Sequence, residues 1–249
     1  MTSISATRAK PFPQRRLLRG LLRAGIAAGL GLLSDVRVEG RENLPKEGPL
    51  LVVGNHFNFL DPLALIHVLP YSLEFIAGRQ APNAPAALGW IRNLWGILPV
   101  SRGGSSRDAL VRAQRVLEQK GVLAIFPEGG SWATVLRPAR AGAALLAARS
   151  GAPVLPVGLD GLTEVFAQRR PIGRRAPVTV RIGKPFGPFT PTNGSRPSRE
   201  ALDHFGHELM HRIADLIPAE RRGFYSDDPA VRQAALGTEV YPWDTVTET

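Results

Sequence analysis

The sequence predicts an α/β domain: a largely parallel central sheet flanked by helices, preceded by an amphipathic N-terminal helix. Three observations predict it. From residue 36 onward, short apolar runs alternate with stretches of helical period. The runs are almost continuously apolar, as strands covered on both faces are. Several of them end in polar or glycine-rich residues, where open α/β sheets place their ligands.

The first element is a helix within residues 17–33. Leu17, Leu18, Leu21, Leu22 and Ile26 recur at helical spacing, with Arg15, Arg16, Arg19 and Arg23 on the other side. Its uncharged part, Ala24 to Ser34, is about half of the ~20 residues a spanning helix needs. Two readings are open. The helix lies in a membrane interface with its guanidinium groups on lipid phosphate, or it packs on the domain with a solvated basic face. Strands follow at Val36–Val38, Leu50–Asn55, Leu73–Ala77, Ile97–Val100, Val122–Phe126, Val154–Gly158 and Val178–Ile182. Helices are expected at 62–69, 85–94, 107–119, 138–149 and 200–217, and the tail after Tyr225 reads as polar and irregular. The chain therefore divides into a basic N-terminal helix (1–34), a domain (35–226) and an acidic C-terminal tail (227–249).

Composition narrows the chemistry. The 249 residues include no Cys, which excludes disulfides, thiolate-ligated zinc and a cysteine acyl-enzyme. The formal net charge is +10. Six cations and no acid fall in residues 1–23, so anionic partners are implied: a phospholipid surface, a phosphorylated substrate or nucleic acid. No zinc-finger pattern or RNA-recognition aromatic motif supports the last.

Four strand ends carry polar or special residues, and their convergence on one sheet edge is the main structural expectation. Leu50–Gly54 leads into Asn55-His56, with Asp61-Pro62 five residues on. Asp61 has the form of an N-cap before a proline at the first helical position. Across a strand–turn–helix junction its carboxylate can also fold back to the imidazole, fix its tautomer and leave the other nitrogen as a general base. Ile97–Val100 leads into Ser101-Arg102-Gly103-Gly104, suited to an anion but without Walker A spacing. Val122–Phe126 leads into Pro127-Glu128-Gly129-Gly130-Ser131, with Arg137 and Arg140 downstream, and Val154–Val157 into Gly158-Leu159-Asp160-Gly161. No serine sits in G-x-S-x-G. His204, His207 and His211 share one helix face, where an amphipathic helix is the simpler reading than a zinc site.

Taken in order, these motifs resemble the glycerolipid acyltransferase family typified by 1-acylglycerol-3-phosphate acyltransferase. His56 through Asp61 matches its H-x-x-x-x-D block, and Gly89 through Gly103 the block that ends in a phosphate-binding arginine. Phe126-Pro127-Glu128-Gly129 matches F-P-E-G, and Ala152 through Val157 the V-P-V-x-P-V block. The resemblance spans about residues 36–225. It implies that His56 is the general base and Asp61 its orienting carboxylate. By the same resemblance Arg102, Glu128, Gly129 and Gly130 bind the acceptor, and Pro156 stands near the acyl or hydroxyl site. It further implies acyl-CoA or acyl carrier protein as donor, a lysophospholipid acceptor, no metal or other cofactor, and peripheral work at the cytoplasmic face of the cell membrane. The third block departs from the family's F-P-E-G-T-R-S, because Gly130-Ser131-Trp132 follow Gly129 here. Arg137 or Arg140 is the expected replacement for the missing cation. Other acceptors (glycerol-3-phosphate, an aminolipid, a glycolipid) and a silent phospholipid-binding protein remain alternatives.

Overall fold

The computed structural model describes residues 15–78, 89–100, 106–167, 173–189 and 197–240. Seven strands, β1 (Ser34–Glu39), β2 (Leu50–Gly54), β3 (Leu73–Gly78), β4 (Leu98–Val100), β5 (Val122–Ile125), β6 (Val154–Asp160) and β7 (Ala176–Ile182), form one sheet in the order β1-β7-β6-β2-β5-β3-β4. Every neighbouring pair is parallel except β6–β7. Each expected strand is present, with ends shifted by two residues or fewer.

Alternate strand residues feed two cores. Leu50, Val52, Val122, Ala124, Leu155 and Val157 pack under α1 (Arg16–Leu33), α2 (Asp61–Val68) and α3 (Gly89–Trp95). Leu51, Val53, Leu123, Ile125 and Val154 face α4 (Ser106–Glu118), α5 (Ala141–Ser150) and α6 (Arg199–Ala214). The period of two along each strand thus produces a three-layer sandwich. All of β2 is buried, which explains its unbroken apolar run and makes it the floor on which the site stands.

Two expectations change. Helix α1 packs on the domain through Arg19, Leu22, Ile26 and Leu30. Its guanidinium groups are not all on the outer side. Arg19 is 4% exposed and grips the buried Glu74 of β3 with both forks, at 2.5 and 2.9 Å. Arg23 donates to the Tyr71 carbonyl. A charge this deep needs a partner, so the arginine turns inward to the carboxylate. The outward stripe is instead largely apolar: Leu17, Leu21, Ala24, Ala28 and Leu32 are exposed, with the exposed Arg16 at its N-terminal end. The tail is not irregular throughout either. Helix α7 (Pro229–Ala235) forms after Tyr225, where the Asp228 side chain accepts from Ala230 N–H and Pro229 opens the first turn.

Candidate active site

Parallel register brings the strand ends together. Val53 is level with Ile125 on one side and Pro156 on the other. Three residues further, His56 therefore stands beside Glu128 and Leu159. The contacts agree. Asn55, fully buried, clamps β2 to β6 by exchanging two hydrogen bonds with the Leu159 backbone, at 2.8 and 2.7 Å. The backbone N–H of His56 donates to Glu128 Oε1 at 2.7 Å. The fourth expected strand end, including Arg102, lies outside the described residues.

The His56 ring is held on two sides. Nδ1 lies 2.9 Å from Asp61 Oδ2, and the ring stacks on Phe126 with centroids 4.3 Å apart. The ring is partly buried, its side chain 16% exposed. The Asp61 carboxylate does not cap its own helix. It points back into the turn, where the same Oδ2 accepts the N–H groups of Phe57 and Asn58 at 2.7 and 2.8 Å. Helix α2 has no side-chain cap, although Pro62 opens it as the sequence suggests. Asn58 adds a local bond from Leu60 N–H to its Oδ1 at 2.9 Å, which tightens the turn.

Three donors converging on one oxygen favour an acceptor-only carboxylate, so the imidazole presents its Nδ1 proton to Asp61 and keeps the Nε2 lone pair. Burial pushes the Asp61 carboxyl above its ordinary value, while the hydrogen bond and charge of His56 and the two N–H groups pull it back.

Glu128 is closed off. Both oxygens are engaged, Oε1 by His56 N–H and Oε2 by Arg137 Nε at 3.1 Å. Burial raises its carboxyl to about 7, against the lowering effect of Arg137 and the His56 and Arg137 hydrogen bonds. Arg137 itself is 1% exposed. Gly129 is exposed with φ 80°, and a Cβ there would stand 3.2 Å from Arg140 Cγ. The exposed Arg140 thus lies against the loop beside the histidine. Pro156 is buried within β6 opposite Val53, and its carbonyl accepts from Gly183 N–H at 2.9 Å. It sits three residues back along the sheet from the level of His56. Of the helical histidines, His207 Nδ1 lies 3.0 Å from Tyr225 Oη, and His211 packs edge-on against that ring.

Sequence reasoning missed Phe126 as the ring support and Arg137 as the partner of Glu128. The register of adjacent parallel strands could have found the first; only the fold could give the second.

A largely parallel α/β sheet whose strand ends present an Asp-steadied histidine, with a buried Glu and an exposed Arg on the next loop, has counterparts among known proteins. The acyltransferase family profile matches residues 35–160. A chloroplastic 1-acyl-sn-glycerol-3-phosphate acyltransferase of Brassica napus is 33% identical over 60% of this chain and 44% of its own length. The 1-acyl-sn-glycerol-3-phosphate acyltransferase of Bacillus subtilis is 22% identical over 75% of this chain and 90% of its own. The crystal structure of the 1-acyl-sn-glycerophosphate (LPA) acyltransferase PlsC from Thermotoga maritima aligns with a TM-score of 0.56 at 26% identity, covering 82% of each chain. The chain belongs to the glycerolipid acyltransferase family.

Proposed function

We propose that this protein is an O-acyltransferase that moves a fatty acyl group from acyl-CoA or acyl carrier protein to the hydroxyl of a lysophospholipid-like acceptor. The favoured acceptor is 1-acylglycerol-3-phosphate, giving phosphatidic acid. The observation that carries the reading is the His56–Asp61 pair at 2.9 Å, its Nδ1 side closed by the carboxylate. The Brassica, Bacillus and Thermotoga relatives, each a 1-acyl-sn-glycerol-3-phosphate or 1-acyl-sn-glycerophosphate acyltransferase by name, support the acceptor.

Transfer is direct. His56 Nε2 takes the acceptor's hydroxyl proton as the oxygen attacks the thioester carbonyl, and Asp61 stabilises the imidazolium that forms. The C–O bond forms, the C–S bond breaks, and the departing thiolate recovers the proton from His56. Arg102, by the family resemblance, and Arg140, exposed against Gly129, receive the acceptor phosphate as bidentate cations. Gly129 lets backbone approach that anion, whereas the open side of Gly130 is filled by the Trp132 indole.

The enzyme works peripherally at the cytoplasmic face of the cell membrane. No helix among the described residues is long and apolar enough to cross a membrane. The outer stripe of α1, with Leu17, Leu21 and Leu32 at 89%, 73% and 77% exposed, is the surface that enters the lipid interface. The exposed Trp90 and Leu94 of α3 extend it, since Arg15, the residue before α1, donates to the Leu94 carbonyl. Apolar insertion, helped by the net positive charge, drives this binding. Leu17→Glu with Leu21→Glu leaves the packed face intact and is expected to lower vesicle co-sedimentation at least tenfold at unchanged thermal stability; undiminished binding would reject the assignment.

Purified protein, radiolabelled acyl-CoA or acyl carrier protein and a panel of acceptors in vesicles test the reaction. Turnover with 1-acylglycerol-3-phosphate that disappears in His56→Ala is expected. Activity surviving that change would remove the mechanism, and no turnover with any acceptor would favour a silent lipid binder.

A further inference from the structure

The loop that follows β5 departs from the family block, and what replaces the block is a connected polar brace. Arg137 Nε donates to Glu128 Oε2 at 3.1 Å, and its Nη2 donates to the Gly130 carbonyl. The Trp132 indole covers the guanidinium, whose carbon lies 3.7 Å from a ring centroid. Gly130 makes room for that indole: a Cβ there would stand 2.4 Å from Trp132 Cζ3. The other edge of the indole reaches the C-terminal segment, where Nε1 donates to the Thr238 carbonyl at 2.8 Å, just beyond α7. At the far end, the second Glu128 oxygen accepts the His56 N–H. Thr238, Trp132, Arg137, Glu128 and His56 are therefore linked in one unbroken series of contacts.

We propose that Arg137 is a positioning residue for His56, locked in place by Trp132 and the C-terminal segment, and that it does not bind the acceptor. The proposal rests on the acyltransferase reading above. Its burial keeps Arg137 from a substrate phosphate, whereas Arg140 is exposed. Its function follows from what Glu128 must be. Both partners of that carboxyl are donors, so only the ionised form satisfies both; a proton on either oxygen opposes one of them. Asp61 and Tyr225 also face Glu128 electrostatically, and Asp61 opposes its ionisation. His207, hydrogen-bonded to Tyr225, is the next titratable group outward. Arg137 is the cation that offsets burial and Asp61, so that Glu128 can hold the histidine backbone where Asp61 meets the ring.

The test compares full-length wild type with Arg137→Met, Arg137→Lys and Trp132→Phe, using acyl-CoA and 1-acylglycerol-3-phosphate in vesicles from pH 5.5 to 9. Arg137→Met is expected to lower kcat by about 30-fold or more, keep acceptor KM within about twofold and move the acid limb of kcat up by about one pH unit. Arg137→Lys restores most of the limb, and Trp132→Phe shifts it by a smaller amount in the same direction. A rise in acceptor KM at retained kcat would make Arg137 an acceptor ligand and overturn the proposal. A fall in kcat with an unmoved acid limb would reduce the brace to scaffolding and also overturn it. Should wild type transfer no acyl group, the reaction fails separately, and the brace is read by NMR. The pH midpoint of the His56 backbone amide shift must then rise in Arg137→Met and in Trp132→Phe; an unmoved midpoint overturns it.

Discussion

Replacing Asp61 by asparagine separates its charge from its shape. An amide oxygen in place of Oδ2 still accepts the Phe57 and Asn58 N–H groups, so the turn is retained. What disappears is the anion beside His56 Nδ1, 2.9 Å away. During transfer the imidazole becomes a cation with its charge centre roughly 4 Å from the carboxylate's. At an effective dielectric near 20 that attraction is about 4 kcal/mol. It is absent for a neutral ring, so nearly all of it lowers the barrier, and its loss is worth roughly 10^3 in kcat. Asp61→Ala is the contrast, because it strips a buried acceptor from three donors and destabilises the fold by several kcal/mol at roughly 1–3 per donor. The assay is steady-state acyl transfer with calorimetry on both variants. Asp61→Asn retaining wild-type kcat within tenfold, at an unchanged unfolding midpoint, would refute the claim that His56 becomes charged during the reaction.

Two further perturbations test the framework around the site. The Glu128 carboxyl, raised to about 7 from an ordinary 4.5, makes the native state bind a proton more tightly than the unfolded chain. Its contribution is fully present below about pH 4.5 and lost as pH rises through 7. Relative to Glu128→Gln, wild type should lose about 3 kcal/mol between those limits, seen as converging or crossing urea midpoints; parallel curves would contradict the shift, because the Arg137 charge is constant throughout. Glu74→Gln strands the buried Arg19 guanidinium under α1, and should cost about 3–5 kcal/mol in chemical denaturation. Arg19→Met with Glu74→Met, which removes both charges, should recover most of that loss.

The sequence revealed most where one local rule decides the outcome. Short apolar runs bounded by turn residues, continuous where both faces are buried as in β2 and alternating as in β7, were read as strands, and all seven fell within two residues of their observed ends. The His56–Asp61 pairing was legible as one of two options. Asp61-Pro62 carries the signature of a helix start, and only the observed direction of the carboxylate, toward Phe57 and Asn58, decides between cap and catalytic partner. Helix α1 shows the limit of periodicity. Leu17 and Leu21 belong to one face and Leu22 and Ile26 to another, so a single apolar stripe was the wrong division. The buried arginine among them had no local sign, because its partner Glu74 is 55 residues away on β3.

The departure in the third block is illegible for the same reason: the residues that occupy it act through contacts that no local pattern shows. A pattern search sees Gly130, Ser131 and Trp132 where threonine, arginine and serine are usual, and counts a missing cation. In three dimensions a cation is present, supplied by Arg137 from nine residues beyond Glu128. It fits only because Gly130 has no Cβ to meet the indole, and because Trp132 covers the guanidinium while tied to Thr238. These substitutions are physically one change. Threonine at position 130 alone would drive its side chain into Trp132, and serine at position 132 alone would remove the indole that covers Arg137; either change displaces the brace.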